Sequence, residues 1–330
     1  MNLQGRRVLV TGGDGFIGSH LVERLLKEGA HVRALCLYTS TGSRGWLDDL
    51  DPQLSAELDV WLGDIRDAPF VDSLVEGMDL VLHLAALIGI PYSYVAPFSF
   101  IATNVIGTHN VLEAARRHGV SRMVHASTSE VYGTPDTLPI TEKHPLKGQS
   151  PYSASKIAAD KLCEAWACSF DVPVVILRPF NTYGPRQSAR AVIATLLEQI
   201  LSGLTPIRLG SLEPRRDFTY VTDTVDGFIR AATAQLPAGE VIHLGTGTAV
   251  SVGELVERAQ RLLGTELPVA LDTERIRPSL SEVMVLQSDP SRAAEILGWQ
   301  PRVDLETGLG ATADWLRTRV DARRAAIFQR

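Results

Sequence analysis

Six short runs rich in branched apolar residues, alternating with stretches of helical spacing, organise the first half of this chain. They are Arg7–Thr11, His31–Cys36, Val60–Leu62, Leu80–Leu84, Arg122–Ala126 and Val172–Leu177. Runs this continuously apolar suit strands covered on both faces. Helical candidates lie between them at about Ile17–Glu28, Val71–Glu76, Phe98–His118 and Ser153–Phe170. Strand and helix alternating in this way predict an α/β protein with a Rossmann-like, doubly wound parallel sheet and right-handed crossovers. Ligands then belong at the carboxyl ends of the strands.

At 330 residues, and with roughly 150 residues to a domain, the chain has room for a second unit. After Arg178-Pro179 the rhythm changes to longer helices and Pro/Gly punctuation, which predicts a smaller α/β substrate-binding domain. Val241–Leu244 reads as one more apolar strand, so the boundary is expected to interleave. The dinucleotide-binding part is placed at 1–178 with a return at about 217–250, and the second domain at 179–216 and 251–330. The charged tail after about Arg317 reads only as a helix end.

Apolar residues make up 45% and charged residues 21%, the balance of an ordinary globular chain. A net charge of −6 repels phosphate backbones, which argues against nucleic acid as a partner. The longest apolar stretch, Leu80 to Ile90, contains His83 and falls short of the roughly 18 residues of a membrane span, so no membrane association is expected. The amino terminus lacks the pattern of a secretory signal. Cys36, Cys163 and Cys168 form neither a CxxC pair nor an even framework. A cytoplasmic location with reduced thiols follows as the expectation. The eight histidines show no HxxxH spacing, and no metal site is assigned.

The helices at 98–118 and 153–170 carry small or apolar residues on more than one face, among them Ala154, Ile157, Ala158, Leu162, Ala165 and Trp166. A helix apolar nearly all round must bury both sides. One side can face the sheet and the other a second copy, so a twofold homodimer through these helices is the working expectation.

Three constellations carry chemistry. Thr11-Gly12-Gly13-Asp14-Gly15-Phe16-Ile17-Gly18 follows the first strand and opens the first helix, where small residues let the backbone approach a pyrophosphate. The acid expected about 20 residues on, for the adenosine ribose, is missing, because Cys36, Leu37 and Tyr38 stand there. NADP is therefore not excluded, with Arg33 or Arg44 available to a 2′-phosphate. Asp64-Ile65 ends the third strand, where an acid could reach an adenine amino group or simply make a turn. Tyr152 and Lys156 are spaced i, i+4 and share a helical face. A cation near a phenol favours the phenolate, which makes Tyr152 a candidate base. Ser127, Thr128, Ser129 and Glu130 end the fifth strand with hydroxyls that can hold a substrate oxygen and a carboxylate that can carry a proton. The same cluster also reads as turn chemistry.

These residues, with HLAA at 83–86, TSEVYG at 128–133, YSASK at 152–156, RPFNTYGPR at 178–186 and RRDFTYVTD at 215–223, resemble the extended short-chain dehydrogenase/reductase enzymes that act on nucleotide sugars. The match runs in order over essentially the whole chain. Within that family, LYTSTGSRGWLDDL at 37–50, LIGIPYSY at 87–94, GQSPYSASK at 148–156 and GPRQSARAVI at 184–193 are similar to the NAD-dependent 4,6-dehydratases of legionaminic-acid-type pathways.

The resemblance implies a nucleotide-sugar 4,6-dehydratase with tightly bound NAD recycled in each turnover, and favours an N-acetylglucosamine diphosphonucleotide as substrate. Gly12, Gly15, Phe16, Ile17, Gly18, Asp64, Ile65, Leu84, Ala85, Ala86, Ser127, Tyr152 and Lys156 would contact the cofactor. Tyr152 would take the sugar 4-OH proton, Thr128 would hold the 4-oxygen, and Glu130 would remove the C5 proton and assist loss of the 6-OH. Ser129 stands where deoxythymidine-diphosphate-glucose dehydratases have Asp, which leaves open the acid for water loss. Ser93, Asn181, Arg186, Arg216 and Arg277 would face the substrate, with Asn181, Arg216 and Arg277 at its diphosphate. A 4-epimerase or a glucuronate decarboxylase could use the same Tyr152 and Lys156. A dinucleotide-sensing protein without catalysis is the reading outside enzymology.

Overall fold

The computed structural model describes residues 3–320. Strands β1 (Arg7–Thr11), β2 (His31–Leu37), β3 (Asp59–Gly63), β4 (Leu80–His83), β5 (Arg122–Ala126) and β6 (Val174–Pro179) join the strand Val241–Leu244 in one seven-stranded sheet. From one edge to the other the order is Val241–Leu244, β6, β5, β4, β1, β2, β3, and every pairing is parallel. The order reverses between β1 and β4, the switch point at whose carboxyl end doubly wound sheets bind ligands. The predicted strands all form, with bounds moved by a residue or two, and the expected return of the chain at 241–244 is present.

Two buried clusters cover the two faces of this sheet. On one side Val8, Val10, Leu82, Val124, Val175 and Leu177 pack against α1 (Phe16–Lys27) and the helix Val221–Thr233. On the other side Leu9, Val81, Met123 and Ile176 meet the helices Ala68–Val75, Gly107–Arg117 and Pro151–Phe170. Alternate residues of single strands therefore enter different cores, which is why the runs are apolar throughout. A separate core joins the helices Val192–Leu201, Val252–Leu263 and Leu305–Arg317 through Leu196, Leu197, Leu255 and Leu309.

Two features depart from the sequence reading. The segment expected as one helix over 98–118 runs continuously from Pro97 to Arg117, but its turn at Ile101–Ile106 is widened to π-helical spacing. The widened turn carries buried Asn104, whose side chain bonds to the backbone of Leu87 on a neighbouring loop. The chain also packs back against the main sheet's first core, through the helix Ser291–Leu297, within the stretch assigned to the second domain. There Ala293, Leu297 and Trp299 join the first core, and the Trp299 indole N–H donates to the Asp223 carbonyl at 2.8 Å. Residues 321–330, the end of the predicted charged tail, lie outside the described residues.

Candidate active site

Parallel register sets Thr11 beside His83 and His83 beside His125 at the carboxyl ends of β1, β4 and β5. These three side chains form a buried polar rank. The Thr11 hydroxyl lies 2.8 Å from His83 Nδ1 and accepts from the N–H groups of Leu84 and Ala85, each at 3.1 Å. His83 Nε2 lies 3.0 Å from the Thr108 hydroxyl, which donates to the Asn104 carbonyl. The strand-end turn at 84–86 is thus tied both to the glycine turn and to the helix above it.

The glycine turn fits a dinucleotide. Gly12 has φ +72°, and a Cβ on it would lie 2.9 Å from the Ala85 nitrogen; one on Gly18 would fall 2.0 Å from the Gly12 carbonyl oxygen. Only glycine permits this approach of α1 to both strand-end turns. Gly15 caps α1 with extended backbone and no side-chain bond, leaving the helix start able to hold a pyrophosphate. Ile65 is buried and packs against Gly107, its carbonyl accepting from Asn110. Asp64 accepts from both the backbone and the guanidinium of Arg66, which holds its carboxyl below the usual range. The turn-forming role of Asp64 is visible here.

A capping box between Ser150 and Ser153, with Pro151 in the first turn, fixes where the helix Pro151–Phe170 begins and so where Tyr152 and Lys156 stand. Lys156 is wholly enclosed; its ammonium donates to the Ala126 carbonyl at 2.7 Å and lies 3.4 Å from His125 Nε2. Burial brings the Lys156 ammonium down to about 8. One turn further, Asp160 takes hydrogen bonds from the Ser127 hydroxyl at 2.9 Å and from Arg178 Nε at 3.0 Å, and lies 3.5 Å from His125 Nε2. Arg178 continues to the Tyr132 phenol at 2.7 Å, and that phenol meets His243 Nε2 at 2.5 Å. Burial pushes the Asp160 carboxyl up, but His125 and the Arg178 guanidinium outweigh it and hold the carboxyl below its usual value.

The expectation that the nearby cation would lower the Tyr152 phenol is corrected. Burial dominates and raises it well above the ordinary tyrosine value, with a hydrogen bond to Thr128 acting the other way and the Glu130 charge adding to the rise. The Lys156 ammonium is directed to a backbone carbonyl instead. Thr128, hydrogen-bonded to the Tyr152 phenol, caps the short helical turn Ser129–Tyr132 and accepts from the Glu130 N–H at 3.2 Å, while the Glu130 charge reaches the phenol through space. Ser129 itself is buried.

Opposite this group, Arg216 comes from the short strand Arg215–Asp217 and Arg277 from the loop after the strand Val269–Leu271. Arg277 Nη1 lies 4.0 Å from Glu130 and 3.7 Å from Glu282, and Arg216 donates to Glu282 at 3.2 Å. Arg277 Nη1 and Asn181 Oδ1 are buried without a hydrogen-bond partner. Both atoms therefore keep hydrogen-bonding capacity that a bound ligand can take up. Two predicted substrate residues are engaged elsewhere. Arg186 donates to Glu23 of α1 at 2.7 Å and lies 3.4 Å from the Ser19 hydroxyl. The Ser93 hydroxyl turns back onto the Ile90 carbonyl within its own helical turn.

Sequence reasoning missed His83, His125, Asn104, Asp160 and Glu282. Asp160 could have been found, since it repeats the i, i+4 step beyond Lys156. The two histidines read as interruptions of apolar strands. Among the described residues no group of three or more His, Cys, Asp or Glu could hold a metal ion, and no helix is long and apolar enough to cross a membrane.

The family model described as GDP-mannose 4,6 dehydratase matches residues 9–312. The chain belongs to this family. It is a nucleotide-sugar branch of the extended short-chain dehydrogenases/reductases, with NAD-dependent dehydratases and epimerases among its members. A UDP-glucose 4-epimerase of Mycolicibacterium smegmatis is 35% identical, covering 95% of this chain and 99% of its own. A dTDP-glucose 4,6-dehydratase of Actinoplanes is likewise 35% identical, over 94% and 98%. The dTDP-glucose 4,6-dehydratase DesIV of Streptomyces venezuelae, solved with NAD bound, superposes with a TM-score of 0.84 at 33% identity over 95% of this chain and 97% of that one.

The three enclosed histidines yield a prediction. Burial lowers His125 to about 4, His243 to about 3 and His83 well below its ordinary value, whereas an unfolded histidine titrates near 6.5. Between these limits the unfolded chain binds protons that the folded chain refuses, so stability is full above about pH 6.5 and is lost as the pH falls. Asp14 and Glu142, whose carboxyls burial pushes up, oppose this in part. Denaturant unfolding between pH 7 and 5 should show stability falling by up to about 4 kcal/mol per pH unit. A flat profile over that interval would contradict the neutral assignment.

Proposed function

We propose that the protein is a nucleotide-sugar 4,6-dehydratase that works with NAD and gives a 6-deoxy-4-keto sugar. The observation that carries this reading is Glu130. Its carboxylate is largely shielded, acts on the Tyr152 phenol through its charge, and lies 4.0 Å from Arg277. An epimerase, which only oxidises and reduces C4, has no use for a carboxylate there; the family resemblance implies that epimerases usually carry a small or apolar residue at that position, whereas glucuronate decarboxylases share the TSEVYG motif.

Bound NAD would supply reversible hydride transfer, drawn from C4 and returned at C6, together with the positive charge of its nicotinamide. The chain's own residues do the remaining work. Tyr152, oriented by Thr128, takes the 4-OH proton, and Lys156 holds the adjoining ribose with its ammonium anchored on Ala126. Oxidation at C4 makes the C5 proton acidic, and Glu130 removes it. A serine hydroxyl at 129 is far too weak an acid to protonate a leaving group, so Glu130 passes that proton to the departing 6-OH, which leaves as water. A solvent proton delivered through Glu130 then adds to C5, and Tyr152 releases its proton to solvent, so the sugar loses one water and there is no net redox change. Asn181, Arg216 and Arg277 hold the diphosphate, a guanidinium's favoured partner. The preference for an N-acetylglucosamine nucleotide rests on the sequence resemblance at 37–50, 87–94, 148–156 and 184–193.

The assembly we propose is a homodimer through the helices at 98–118 and 153–170. Phe98, Ile101 and Ile106 remain exposed on the first, at 77%, 50% and 50%, and Ala154 and Ala165 on the second. Light scattering should give twice the mass of one chain; a monomer across micromolar concentrations would refute the pairing.

Glu130→Gln should retain bound cofactor and most of the C4 oxidation but lose exchange of the C5 hydrogen with solvent, with overall turnover down by roughly 10²–10⁴. C5 exchange at the wild-type rate would remove Glu130 from its role. The epimerase reading, favoured by the mycobacterial relative, predicts inversion at C4 with C5 hydrogen retained.

A further inference from the structure

The carboxyl end of β2 is where a doubly wound dinucleotide site normally carries the acid for the adenosine ribose, and here that acid is absent from the strand. Cys36 is enclosed and burial, with the Asp14 charge next, pushes its thiol up to about 12, so it offers no anion. A carboxylate reaches the same place from another element. Asp14 Oδ2 accepts the N–H of Leu37, the last residue of β2, at 3.1 Å. We infer that Asp14, carried by the glycine turn, is the residue that takes the ribose hydroxyls of NAD and turns away the 2′-phosphate of NADP.

The position is built rather than incidental. The Trp46 N–H donates to the Asp14 carbonyl at 3.1 Å, and Gly45, at φ +56°, approaches so closely that a Cβ on it would lie 2.5 Å from that same oxygen. The turn at 45–46 therefore clamps Asp14 from the side opposite β2. Its carboxylate makes no ion pair among the described residues, and burial raises it, as expected of a charge held by backbone groups alone. The two cations that could have welcomed a 2′-phosphate are engaged. Arg33 bonds Asp59 at 2.8 Å and the Leu74 carbonyl at 2.9 Å and lies over the Trp61 ring. Arg44 bonds Asp48 at 2.9 Å. What faces an incoming phosphate is thus an uncompensated negative charge, and like charges brought together at a binding site strongly disfavour the wrong ligand.

This inference rests on the reading that the protein uses NAD, and its test separates the two. Wild type and Asp14→Asn, made in the same cells and purified without added cofactor, are extracted with acid and the released dinucleotides weighed. Asparagine keeps an oxygen for the Leu37 N–H and removes only the charge. Wild type should release NAD, and the variant should show an NADP:NAD ratio raised at least about tenfold. NAD in the wild type with an unchanged ratio in the variant overturns the role of Asp14 and leaves the NAD reading standing. NADP in the wild type overturns that reading itself. Should the variant fail to fold, the wild-type preference for NAD over NADP, measured by competition at about 0.05 and 0.5 M salt, should shrink as the repulsion is screened; a preference independent of salt overturns the inference.

Discussion

Lys156 is a buried cation whose place is set by one hydrogen bond, from its ammonium to the Ala126 carbonyl at the end of β5. That bond joins the helix that carries Tyr152 to the strand end that carries Thr128 and Glu130, and the rest of the site is arranged so that the buried charge can be borne. Asp160 supplies the counter-charge one turn away, Arg178 balances Asp160, and Tyr132 and His243 complete the chain of contacts. Ion pairs enclosed to this degree gain little net stability, but removing one member costs about 3–5 kcal/mol. The pattern is that of a sheet edge organised to hold charge in fixed places.

Parallel register explains how such a row forms. Thr11, His83 and His125 occupy matching positions on adjacent strands, so their polar side chains meet without any loop having to fold over them. Asn104 extends the row upward, bonding Leu87 and the Ser155 hydroxyl. The π-helical turn at 101–106 is the local cost of aiming that side chain inward, and such turns recur at functional sites.

Much of this was legible in the sequence because the signals were local. The strands at Arg7–Thr11 and Arg122–Ala126, the glycine turn, and the pairing of Tyr152 with Lys156 each follow from spacing within one element. What the sequence hid depends on contacts between distant elements. Nothing near Arg186 announces that Glu23 will claim it, and nothing near Ser127 announces Asp160. The packing of Ala293 and Trp299 against the first core is a choice made by a segment with no distinctive period. The Tyr152 phenol was misjudged for the same reason, since a helical wheel shows that Lys156 is near but cannot show how deeply the ring is enclosed.

On the proposed mechanism, a carboxylate at position 130 turns a shared C4 oxidation into dehydration. Proton NMR in deuterium oxide tests it most directly, with the purified protein, no added cofactor, and UDP-N-acetylglucosamine, UDP-glucose, UDP-glucuronate, GDP-mannose and dTDP-glucose in separate tubes. A new C6 methyl signal with deuterium at C5 in one tube is the predicted result. Inversion at C4 with the C5 hydrogen retained, or loss of C6 from the glucuronate, would contradict it.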